Sequence, residues 1–97
     1  GADVASANDL TLGTDGNVFI ITGTTTINAI LTTSWGAGAE VVLIFSGATT
    51  VKHNTAGGAS TASIFLSGSV DLTTAANTIL CLVYDGTQWQ ETSKKAA

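Results

Sequence analysis

Proline and methionine are absent from these 97 residues, histidine and cysteine occur once each, and only Lys52, Lys94 and Lys95 carry positive charge. Each absence excludes something. The lone Cys81 has no partner for an internal disulfide and reads as a small apolar side chain inside the run Ile79 to Tyr84. One histidine without a cysteine cluster falls short of the three or four ligands a metal site needs, so no metal or other cofactor is expected. Three cations against seven acids leave a net charge of −4. With no basic stripe to neutralise phosphates, nucleic acid is not an expected partner. No apolar run approaches the ~20 residues that cross a bilayer as a helix, so membrane insertion is not expected either. The sequence has no phosphate-cradling Gly-x-x-x-x-Gly-Lys, no Gly-x-Ser-x-Gly elbow and no EF-hand spacing.

Charge of either sign is scarce. Asp, Glu, Lys and Arg make up 10% of the chain, against about 25% in an ordinary domain. Serine and threonine fill the gap. A surface of hydroxyls hydrates adequately but repels neighbours weakly, which suits a protein that packs against copies of itself.

What is present is a repeated shape. Val41-Val42-Leu43-Ile44-Phe45-Ser46-Gly47 leads through threonines to Val51. Ile20-Ile21-Thr22-Gly23 leads likewise to Ile27, Phe65-Leu66-Ser67-Gly68 to Leu72, and Val83-Tyr84-Asp85-Gly86 to Trp89. Each unit is a short apolar run, a glycine and a return to one apolar side chain. Thr, Val and Ile dominate, and they favour extended backbone. Helical periodicity is absent, and the chain reads as all-β.

Residues 1–9 read as a leader or linker, 10–93 as a single β domain and 94–97 as a tail. Leu10 and Leu12, the Asp15-Gly16 turn signal and Val18 to Ile21 predict a first hairpin, and Asp85-Gly86 predicts a second. Glu40 to Phe45 is the strongest strand in the sequence. The glycines at 23, 47, 68 and 86 allow two architectures. One is an antiparallel-rich β-sandwich or jelly-roll-like domain with a bend at each glycine. The alternative is a short β-helix or β-prism with four glycine-marked coils. The two Asp-Gly signals favour the first.

Alternate side chains of a strand face opposite sides. Val42 and Ile44 therefore share one face while Val41, Leu43 and Phe45 share the other, and both faces are apolar. No helix is predicted to cover the second face, so it is expected to be buried between identical subunits, with cover by long loops or a third layer as the alternative. Val41, Leu43, Phe45 and Trp89 are the candidate interface residues.

The series Ile21-Thr22-Gly23-Thr24-Thr25-Thr26-Ile27, Gly38 to Gly47, His53-Asn54, Asp71 to Thr78 and Tyr84-Asp85-Gly86-Thr87-Gln88-Trp89 resembles a β-rich module of tailed-bacteriophage tail fibres, tailspikes and related virion proteins. The likeness spans roughly residues 10 to 93. It implies a homotrimeric, protease-resistant and thermostable structural part of a virion, assembled with other virion proteins. Asn77-Thr78 departs from the Gly-Asp that some relatives carry at this turn.

Function is therefore expected to be non-enzymatic: structural and oligomerising, in a virion. The alternative is a receptor- or glycan-binding module for a cell-surface glycan. Trp35, in a glycine-flanked loop, would offer an indole face to a sugar, and His53 and Asn54 would supply polar contacts. A glycan hydrolase, built on a pair such as Asp71 and Glu91, is the remaining class.

Overall fold

The computed structural model describes residues 1–33 and 35–95. Ten strands and one short 3-10 turn account for its regular structure. In chain order they are β1 (Val4–Ala5), β2 (Asp9–Leu10), β3 (Val18–Thr22), β4 (Ala29–Leu31), β5 (Glu40–Phe45), β6 (Thr50–Val51) and β7 (Thr61–Phe65). The turn Ser67–Ser69 follows, and then β8 (Leu72–Thr73), β9 (Ile79–Tyr84) and β10 (Trp89–Lys95). Eight strands form one sheet in the order β1-β3-β5-β9-β10-β7-β4-β2, and β6 pairs with β8 in a small second sheet.

The longest ladders are antiparallel, β5 with β9 and β9 with β10. The large sheet is nearly closed, since its two edge strands, β1 and β2, are consecutive in the chain. Closure buries one face of every long strand and leaves few edges to manage. Inside lie Phe19 and Ile21 of β3, Val41, Leu43 and Phe45 of β5, Ile64 of β7, Leu80 and Leu82 of β9, and Trp89 of β10, none more than 1% exposed.

Parallel pairing gives the first half a second character. β1, β3 and β5 stack in parallel, β2 stacks on β4, and Ile27 bridges Val51 in the same sense. The chain thus winds through successive coils before β7 and β9 add antiparallel ladders, β7 to β4 and β9 to β5 and β10, while β10 closes on β7 in parallel. The antiparallel-rich architecture holds for the longest strands, and the coil-like alternative describes the pairing of the first half.

Threonine hydroxyls tie the turns of these coils together. Thr49, 3% exposed, donates its backbone N–H to Thr74 Oγ1 at 2.9 Å and its hydroxyl to Gly23 O at 3.0 Å. Thr74 Oγ1 donates in turn to Gly47 O at 2.8 Å. The Gly23 and Gly47 carbonyls are thus satisfied by threonine side chains one rung away.

Three features differ from the sequence expectations. The first hairpin does not form. Asp15-Gly16 turns the chain, but β2 pairs with β4 and β3 pairs with β1 and β5, all in parallel. Asp15 instead accepts the backbone N–H of Ala2 at 2.8 Å. The expected leader is part of the sheet, because Val4 and Ala5 pair with Ile21 and Thr22, and Ser6 Oγ accepts the N–H of Thr25 at 3.0 Å. Finally, Gly23, Gly68 and Gly86 have positive φ, whereas Gly47 does not and would meet nothing if given a Cβ. Only three of the four recurring glycines are required by backbone geometry.

Candidate functional site

Strand β5 has an inward and an outward side, and their assignment is unambiguous. Val41, Leu43, Phe45 and Trp89, the expected interface residues, lie in the chain's own core at 0–1% exposure. No neighbouring subunit can reach them without unfolding the sheet. The alternates, Val42 and Ile44, face outward and are only partly buried.

The register extends this outward side across three strands. Val18 of β3 pairs with Val42, which pairs with Cys81 of β9. Ile20 pairs with Ile44, which pairs with Ile79. Val18 is 48% exposed and Ile20 is 42% exposed. Val83 lies on the same side of β9, opposite Glu40. The result is a contiguous apolar sheet face rimmed by Glu40, Ser93 and Lys95. Val18 to Ile21 and Ile79 to Tyr84 also read from the sequence as apolar on both faces, but it does not show that Val18, Ile20, Ile79 and Cys81 align with Val42 and Ile44 on one side. The signal that finds them is cross-strand register, which emerges only once the strands are paired.

Trp35, His53 and Asn54 are held by different contacts. Trp35 is half-buried and packs edge-on against Phe19 at 6.4 Å and Trp89 at 6.1 Å, and Tyr84 packs against Trp89 at 5.1 Å with the rings tilted by 30°. His53 follows β6. Its Nδ1 accepts the backbone N–H of Leu66 at 2.9 Å, and its ring packs edge-on against Phe65 at 5.4 Å. Asn54 is exposed with φ 47° and donates its backbone N–H to Ile64 O at 2.7 Å. His53 and Asn54 thus tie the chain after β6 to β7, while Trp35 belongs to an aromatic group around Trp89.

The carboxylates are similarly engaged with backbone. Asp71 Oδ1 accepts the N–H of His53 at 2.8 Å, and its Oδ2 lies 3.4 Å from Lys52 Nζ. What Asp71 holds is the backbone of His53 and not its imidazole, so the pair is not a charge-relay arrangement. Glu91 Oε1 accepts the N–H of Ser67 at 3.2 Å. An open cleft of about 580 Å³ at the seam between β1 and β2 is lined by Asp3, Asp9 and Asp15, but Asp9 accepts the N–H of Gly58 and Asp15 that of Ala2. Among the described residues no group of His, Cys, Asp and Glu is placed to hold a metal ion.

These bonds set the pH response. The His53 N–H, aided by Lys52, holds the Asp71 carboxyl below its ordinary value. The N–H groups of Gln88 and Thr87 do the same for Asp85. A lowered folded pKa favours folding fully above the unfolded value, about 3.9, and the contribution fades as pH falls through the folded value. Thermal stability should therefore be level above about pH 5 and decline below about pH 4. Asp85→Asn and Asp71→Asn should each flatten that acid limb in melts followed by circular dichroism. An unchanged limb in both variants contradicts the assignment.

No family model, no curated protein and no solved structure matches the chain.

Proposed function

We propose that this chain is a non-enzymatic structural module that associates with copies of itself through the outward face of β3, β5 and β9. We further propose that it serves in a bacteriophage-like virion, as part of a tail fibre, tailspike or decoration component. One observation carries the first statement: among the described residues, Val18, Ile20, Val42, Ile44, Ile79 and Cys81 form a continuous apolar surface that is exposed at Val18 and Ile20 and partly exposed at the rest. Contiguous apolar patches of this kind mark association surfaces on otherwise hydrated proteins. The low charge supports it, because little repulsion opposes the approach of a second copy. Burial at roughly 25 cal/mol per Å² makes such a face sufficient to drive association. The place in a virion rests on the sequence resemblance, which also implies a homotrimer and other virion proteins as neighbours.

If subunit contact contributes to stability, the melting temperature must rise with chain concentration, because mass action favours the associated folded state. A concentration series over roughly a hundredfold tests this. A constant melting temperature across the series counts against the proposal.

A further inference from the structure

On the outward face, Cys81 lies midway between two opposite charges. Cys81 pairs with Val42 on one side and with Ser93 on the other, Glu40 pairs with Val83, and Lys95 pairs with Ile79. Glu40 is thus one strand and two residues away along one diagonal, and Lys95 is one strand and two residues away in the opposite direction along the same diagonal. With strands ~4.8 Å apart and alternate residues ~6.8 Å apart, each charge sits about 8 Å from Cys81 on an ideal grid. Both side chains are exposed, and among the described residues neither is in an ion pair.

We infer that two copies pack this face against itself about a two-fold axis that passes over Cys81, lies in the contact plane and runs perpendicular to the Glu40–Lys95 diagonal. This pairing rests on the self-association proposed above and specifies its geometry. The axis brings Glu40 of each copy to Lys95 of the other, so one ion pair forms twice, as an isologous contact requires. It sets Cys81 against Cys81 of the second copy. Its line continues over Ile20, which meets Ile20 of the second copy, and it carries Val42 onto Ile44 and Ile79. Apolar side chains meet apolar ones over Val18, Ile20, Val42, Ile44 and Ile79, and Val83 comes beside Ser93 at the rim. The strands of the two copies cross at roughly 70°, near the orthogonal class of sheet packing.

Charge decides between this axis and the obvious alternative. An axis along the strands, between β5 and β9, places Lys95 over Ile20 and Glu40 over Val83. Both charges are then covered by apolar surface without partners, which is costly. The oblique axis pairs them at the rim, where electrostatics fixes orientation more than it adds affinity. The arrangement is a pair of copies, in contrast to the trimer that the sequence resemblance implies.

The test uses the unmodified chain and its single thiol. At a concentration where light scattering shows association, a short bis-maleimide should join Cys81 to Cys81 and yield a covalent dimer. Glu40→Lys and Lys95→Glu should each weaken association about tenfold, by placing like charges together twice. The double variant Glu40→Lys/Lys95→Glu should bring it back to within about threefold of the parent. Association without the cross-link, without rescue in the double variant, or with a three-chain mass overturns the two-fold pairing and leaves self-association standing. A single-chain mass at every concentration overturns both.

Discussion

Leu43→Asp should abolish folding, whereas Ile44→Asp, one position further along the same strand, should leave a folded chain that no longer associates. Leu43 is 0% exposed, in the middle of β5 between Phe19 and Leu80. A carboxylate there loses its hydration and gains no partner, and even in its neutral form it leaves unpaired oxygens in an apolar interior. Penalties of this kind are several kcal/mol, against a total stability of roughly 5–15 kcal/mol for a domain of this size. Ile44 points the other way and is partly solvated in the single chain, so an aspartate there keeps its water. The cost falls on the contact between copies. Far-UV circular dichroism and light scattering on both variants separate the outcomes. A folded Leu43→Asp chain contradicts the assignment of the inward face. An Ile44→Asp chain that associates as the parent does removes the outward face from the interface.

Trp89→Ala should be nearly as damaging, through packing. Trp89 is the largest fully buried side chain and touches the rings of both Trp35 and Tyr84. Truncating a buried tryptophan to alanine typically costs ~3–5 kcal/mol in lost contacts and residual cavity. At about 4–8 °C per kcal/mol for a domain of this length, the melting temperature should fall by roughly 12 °C or more. Among the described residues the Trp89 Nε1 is buried without a hydrogen-bond partner, so the indole contributes through area and shape. Trp89→Phe, which keeps a ring and removes the unpaired N–H, should therefore lose much less than Trp89→Ala. Equal losses in the two variants would show that the N–H has a partner that matters.

The strands were readable where local pattern and tertiary demand agree. Glu40 to Phe45 reads as a strand from β-branched content alone. Asp85-Gly86 reads as a hairpin because the Asp85 carboxylate accepts the N–H groups of Thr87 and Gln88, a bond contained within the turn itself. Asp15-Gly16 carries the same dipeptide, yet its flanking strands pair elsewhere. Phe19 and Ile21 enter the core on a strand that sits in parallel between β1 and β5, and no local turn chemistry reports that long-range choice. The inward side of β5 was likewise hidden. When both alternations are apolar, the pattern that normally fixes a strand's orientation carries no information. The core takes Val41, Leu43 and Phe45, and leaves Val42 and Ile44 outside.

Residues 1–8 show the same limit from the polar side. Nothing in their composition marks a strand, but Val4 finds Ile21 and the Ser6 hydroxyl accepts the N–H of Thr25. The candidate site was legible as a property, a second apolar face, and not as a set of residues. Trp35, His53 and Asn54 stand out in the sequence for their chemistry, and each is placed by packing or backbone hydrogen bonds.

The mass of the unmodified chain in solution tests the central claim most directly. Multi-angle light scattering over a dilution series should give a species at a whole multiple of 9.7 kDa, dissociating toward the single chain as concentration falls. A single species at 9.7 kDa from the lowest to the highest concentration would show that the outward face of β3, β5 and β9 stays in water, and would contradict the account.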